Sequence, residues 1–112
     1  MKIITFLRDY FSKKDVKKVI LFGSFAKGDN SKRSDIDLIV IYNTEKKFFY
    51  RYKDFWDLYQ KIPYQIDLLT YTPSEWLKIK DRPFFKEILK EGKVIYEQRE
   101  ESKRGNKMAK YC

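Results

Sequence analysis

The chain has 112 residues, with 25 Lys plus Arg against 16 Asp plus Glu, a net charge of +9, and no histidine. One compact domain fits that length, and 43% apolar residues, including nine Tyr, nine Phe and two Trp, exclude a disordered chain. The lack of histidine excludes a histidine base and a His-ligated metal, and the single cysteine, Cys112, excludes internal disulfides and thiolate zinc sites.

The basic balance points to an anionic substrate or partner. Any metal would have carboxylate ligands, which selects magnesium, with manganese as second choice. Arg8 and Asp9 interrupt the N-terminal apolar stretch where a signal peptide would need it unbroken, and no apolar run is long enough to cross a bilayer. The expectation is a cytoplasmic protein with no membrane partner.

In chain order, Ile3, Phe6, Leu7, Tyr10 and Phe11 recur at helical spacing, predicting an amphipathic helix over 1–13. Val19 to Phe22 is a short apolar run ending at Gly23, which predicts a buried strand. Ser24 is a preferred helix cap, so 24–28 reads as one or two helical turns closed by Gly28. A polar loop over 29–34 leads into a β-branched strand from Asp35 to Tyr42. A helix over 45–61 would turn Phe48, Tyr52, Phe55, Trp56 and Tyr59 toward the core, and Pro63 would stop it. The aromatic row is weighed as core rather than as a base-stacking platform.

Tyr64 to Tyr71 predicts a third strand. Thr72-Pro73-Ser74-Glu75 is a capping box with proline at the first helical position, opening a helix through Ile79. A further helix starts at Pro83 and stops at Gly92, before a short strand at 94–96. The order predicts an α/β (α+β) fold: a small mixed sheet with flanking helices. Residues 1–96 form the expected domain. The stretch 97–112, with five Lys and Arg against three Glu, is the expected basic tail.

Three features that carry chemistry lie at strand ends. Gly23-Ser24 closes the first strand and starts a helix, offering backbone N–H groups, a hydroxyl and a positive dipole end to an anion. Asp35 and Asp37 sit at i, i+2, so strand alternation turns both carboxylates to one face. They repel one another unless a cation lies between them. Asp67, between Ile66 and Leu68, is a charge inside an apolar strand and would be the third carboxylate. Phosphate beside carboxylate-held magnesium is the arrangement of nucleotidyl transfer.

Gly23-Ser24, ten intervening residues and Asp35-Ile36-Asp37 reproduce the G-S-x10-D-x-D motif. On these residues the chain resembles the DNA polymerase beta-like nucleotidyltransferases, with their palm-like nucleotidyltransferase fold. The surrounding GSFAKGDNSKRSDIDLIV is similar to the minimal nucleotidyltransferases, the antitoxins of HEPN-domain toxin pairs. The resemblance implies ATP as nucleotide substrate, with Gly23 and Ser24 holding the triphosphate. Asp35, Asp37 and Asp67 would bind metal, and Asp67 would help activate the acceptor hydroxyl. Lys27 stands where relatives often carry Arg, keeping the charge without the bidentate fork. The implied partner is a HEPN toxin that receives AMP.

Blander readings stand beside these. Gly23-Ser24 could be an ordinary cap, Asp35 and Asp37 solvated residues after a loop, Asp67 an edge-strand surface charge, and Lys27, Lys32 and Arg33 a solvated loop. Competing functions are an antitoxin that acts by binding alone and a small-molecule transferase of the aminoglycoside-modifying type. Nucleic-acid end extension is disfavoured, as 112 residues leave no room for a primer-binding domain.

Overall fold

The computed structural model describes residues 2–23, 25–26 and 35–98. The expected helical turn with Ser24 and Lys27, the loop 29–34 and the tail beyond Gln98 lie outside the described residues, apart from Phe25 and Ala26, a buried turn.

Helix α1 (Ile3–Ser12) is followed by β1 (Lys18–Phe22) and β2 (Ile36–Ile41). A 3₁₀ helix (Phe48–Phe55) runs into α2 (Trp56–Lys61), and then come β3 (Ile66–Tyr71), α3 (Pro73–Ile79), α4 (Pro83–Glu91) and β4 (Lys93–Glu97). The sheet order is β3-β2-β1-β4. β1 is antiparallel to both β2 and β4, and β2 is parallel to β3. The mixed sheet with flanking helices is the one the sequence predicts. Among the described residues no helix is long and apolar enough to cross a membrane.

Alternation along the central strands divides the interior in two. Val19, Leu21, Leu38 and Val40 pack with Leu7, Phe11, Phe55 and Leu58 from α1, the 3₁₀ helix and α2. Ile20, Ile39 and Ile41 turn the other way, onto Trp76 of α3 and Phe85 of α4. The central strands are therefore covered on both faces, which explains their unbroken apolar sequence. β4 reaches Glu97, opposite Lys18, and the Gln98 N–H donates to the Lys17 carbonyl at 2.9 Å, so the ordered sheet runs past the expected boundary at residue 96. A register shift between Val19 and Ile20 falls at Ile95, whose carbonyl accepts from Arg8 Nε at 2.9 Å.

The segment 48–59 corrects a sequence expectation. Phe55 is buried as expected, but Phe48, Tyr52 and Trp56 are exposed, and Arg51 and Leu58 face inward in their place. Arg51, Phe55, Leu58 and Ile62 also recur at helical spacing, but a charged residue heads that stripe and hides it in the sequence. Arg51 is buried because its fork is fully used. Nη1 and Nη2 bind Glu75 Oε1 and Oε2 at 2.8 and 3.0 Å, Nε binds the Lys46 carbonyl at 2.9 Å, and Nη1 also reaches the Thr70 carbonyl at 3.1 Å. Aromatic-rich FFYRYKDF has modest helix propensity, and no side chain caps its start at Lys47, consistent with a tighter 3₁₀ winding.

Glu75 also closes the predicted capping box, accepting from the Thr72 N–H at 2.9 Å while the Thr72 hydroxyl accepts from the Glu75 N–H. The Arg51 guanidinium, then the Thr72 N–H, hold the Glu75 carboxyl down from 4.5 to about 2. A carboxyl depressed in the folded state stabilises it above pH 4.5, and that contribution disappears as pH falls toward 2. Glu75 is half-exposed, so the contribution after solvent screening is about 1–2 kcal/mol. Acid titration of stability should show a loss of that size between pH 5 and 2 in the wild type. The same loss should be missing in Glu75→Gln, as read by denaturant midpoints.

Candidate active site

The end of β1 and the starts of β2 and β3 converge. Phe22, the last residue of β1, pairs with Asp37, and Asp37 pairs in turn with Asp67 across the parallel β2–β3 ladder. The Ile36 N–H donates to the Gln65 carbonyl at 2.9 Å, locking the two strand starts together just beyond Asp35. In-register pairing turns Asp37 and Asp67 to the same face of the sheet. Asp37 is half-buried, as is Asp35, whereas Asp67 is exposed on β3, which is an edge strand. The edge position resolves the apparent oddity of a charge inside an apolar strand, because that carboxylate stays in water.

The electrostatics bind the three together. The Asp37 carboxyl is pushed up from 3.8 to about 6, first by burial, then by the Asp67 charge, a hydrogen bond with Asp67, and the Asp35 charge. Crowded negative charge of this kind is what a bound cation would offset. The donors fit a hard divalent ion in chemistry: oxygen atoms only, with crowded negative charge. Among the described residues no three potential ligands are gathered tightly enough to form a complete set.

Gly23 lies directly against this pair. Its φ of +78° is in the left-handed region, and a Cβ built there would overlap Asp37 Oδ2. Both the turn and the close approach therefore require glycine. A pocket of about 210 Å³ opens beside Phe22 and Gly23, walled by Glu87, Ile88 and Glu91 of α4. A larger cavity of about 440 Å³ lies at the other end of β1, lined by Lys17, Trp76, Leu77 and Gln98 among others. That cavity lacks paired carboxylates, so chemistry rather than volume selects the site.

Of the residues singled out from sequence, the structure brings Gly23, Asp35, Asp37 and Asp67 to one end of the sheet. Ser24 and Lys27 lie outside the described residues. Sequence reasoning did not foresee α4 as a wall of the pocket. Its acidic pair Glu87 and Glu91, at i, i+4, carries no signal that separates it from a solvated helix face.

The fold and the chain both have known counterparts. A family model described as polymerase beta, nucleotidyltransferase matches residues 2–101. MJ0604 of Methanocaldococcus jannaschii, named as a candidate protein adenylyltransferase, is 33% identical over 85 residues, which span 72% of this chain and 79% of that protein. A chain from a crystal structure of a toxin–antitoxin with AMP-PNP superposes with a TM-score of 0.59 at 22% identity, over 91% of this chain and 76% of that one. A chain from the complex of tri-AMPylated Shewanella oneidensis HEPN toxin with MNT antitoxin gives 0.51 at 20% identity, over 91% of this chain and 72% of that one. These structures share the fold, with its mixed sheet and flanking helices. Matched by the family model over nearly its whole length and by a relative at one-third identity, the chain belongs to the polymerase beta nucleotidyltransferase family.

Proposed function

We propose that this protein transfers AMP from ATP, with magnesium, to a hydroxyl group of a HEPN-domain toxin partner, and thereby acts as its antitoxin. The observation that carries the reading is the in-register pairing of Asp37 with Asp67 beneath Gly23. Family membership supports nucleotidyl transfer. The named activity of MJ0604 and the AMPylated toxin of the Shewanella complex support a protein acceptor.

In this reading Asp35, Asp37 and Asp67 hold the metal, which when bound would offset negative charge on the α-phosphate and on the leaving pyrophosphate. Gly23 lets the backbone approach the triphosphate, with Ser24 and Lys27 as its further contacts. Asp67, the exposed member on the edge strand, accepts the proton of the acceptor hydroxyl. The hydroxyl oxygen forms a bond to the α-phosphorus, the bond from that phosphorus to the oxygen bridging to the β-phosphate breaks, and pyrophosphate departs with the electron pair.

Incubation with labelled ATP and the partner should put AMP on the partner, and EDTA should stop the reaction until magnesium is restored. Asp67→Asn retains size and much of the hydrogen bonding but cannot take the proton. It should slow transfer by about 10²-fold or more with partner binding retained. Full neutralisation of the toxin by Asp67→Asn, with no AMP adduct in either form, would instead identify a binding-only antitoxin.

A further inference from the structure

The 3₁₀ helix and α2 present a row of aromatic side chains to solvent: Phe49 is 81% exposed and Trp56 55%, flanked by exposed Phe48 and Tyr52, with half-buried Tyr59 at the end. The rings touch in sequence, Phe48 to Phe49 at 6.0 Å between centroids, Tyr52 to Trp56 at 6.3 Å and Trp56 to Tyr59 at 6.2 Å. Four large exposed rings in one short segment are costly to leave in water and mark a contact surface. We propose that this row is the docking surface for the acceptor protein, receiving an acidic, partly apolar face of that protein. The proposal rests on the transfer reading above and adds to it the place where the acceptor binds.

Position supports it. Phe48, Phe49 and Tyr52 border a shallow pocket of about 170 Å³ whose other wall is Leu68 and Thr70 of β3, the strand that carries Asp67. At the other end of the row, Tyr59, like Leu68 of that strand, packs against the core beneath α1, the 3₁₀ helix and α2. The row thus borders the edge strand that carries Asp67, from the sheet face opposite to that carboxylate.

Charge identifies the occupant. The acidic residues of this segment are engaged elsewhere: Asp54 by the Tyr42 hydroxyl and Lys46, Asp57 by the Tyr10 hydroxyl and Lys14. Lys47 and Lys53 stay exposed with no carboxylate partner among the described residues, and Lys53 lies over the Tyr50 ring at 5.3 Å. Aromatic anchors with unpaired cations suit an acidic protein face. A single-stranded nucleic acid fits less well. Tyr52 and Trp56 meet edge-on at 68°, which leaves no open parallel faces for bases to stack on.

The test uses the full chain and its HEPN-domain partner. Phe49→Ser combined with Trp56→Ser changes only exposed rings, so the melting temperature should stay that of the wild type. The Kd for the partner, measured in the transfer-deficient Asp67→Asn background, should rise at least tenfold, and the KM for ATP in the otherwise wild-type chain should not change. Trp56→Phe should restore most of the affinity. Lys53→Glu should raise the Kd and flatten its salt dependence. An unchanged Kd in the double variant would overturn the proposal. So would a self-associating wild type that the variant makes monomeric, or a fluorescent oligouridine whose binding depends on the same rings. No AMP adduct on the partner with the wild-type chain would defeat the transfer reading, whereas the Kd answers the docking question by itself.

Discussion

Asp37→Asn should abolish AMP transfer, a loss of about 10³-fold or more, and at the same time make the metal-free protein more stable. Asp37 is the member of the carboxylate group with most neighbours: Asp67 beside it on β3, Asp35 two residues back, and Gly23 against its oxygen. In the proposed function, replacing it removes the central metal ligand, and neither flanking carboxylate lies in its place. The stability gain follows from the raised carboxyl. A group whose folded pKa is about 6 against 3.8 costs nothing below pH 3.8, and the cost of ionising it grows until about pH 6. At pH 7 in EDTA, Asn should therefore gain about 1–2 kcal/mol, allowing for partial exposure. At pH 3 the gain should vanish. Denaturant melts at both pH values check the sign, and a stability loss at pH 7 would mean Asp37 is not under repulsion.

The largest loss of stability should come from Arg51→Met, at about 3–5 kcal/mol in denaturant unfolding. Methionine fills much of the volume but leaves the carbonyls of Lys46 and Thr70 without donors and Glu75 without its counter-charge. Glu75 is half-exposed and keeps its bond from Thr72, so the effect should fall toward the lower end of that range. Arg51→Lys should recover only part, since an ammonium cannot make the two parallel bonds to Glu75 while also reaching both carbonyls. The double variant Arg51→Met with Glu75→Gln should be less destabilised than the sum of the two single changes.

These two residues mark what the sequence made legible. Asp37 could be read because its chemistry depends on local spacing: two carboxylates at i, i+2 share a face whatever the rest of the chain does. The strands were equally plain, since β-branched runs in 18–22 and 36–41 have one outcome when both faces are covered. Thr72 to Glu75 and the stop at Gly92 are local too. Arg51 could not be read. Its burial depends on Glu75, twenty-four residues away, and on a carbonyl in β3, so no window of sequence contains the reason. With Arg51 counted as surface, the aromatic row became the obvious inner face, and the segment was assigned the wrong side. The edge position of β3 was also hidden, because strand order follows from packing and not from the strand's own residues.

The parallel pairing of β2 with β3 has a consequence for how the protein comes to life. Residues 42–65 must fold back before Ile36 can meet Ile66, so this ladder, like the β1–β4 pairing, is a non-local contact that forms more slowly than the local helices. A slip of one residue in that ladder would carry Asp67 to the opposite face while leaving the strand paired. Asp67 therefore comes beside Asp37 only when this ladder has closed in the right register. Onset of AMP transfer after dilution from denaturant should lag behind recovery of tryptophan-free secondary-structure signals such as far-UV ellipticity. Enzymatic competence would then serve as a clock for strand alignment.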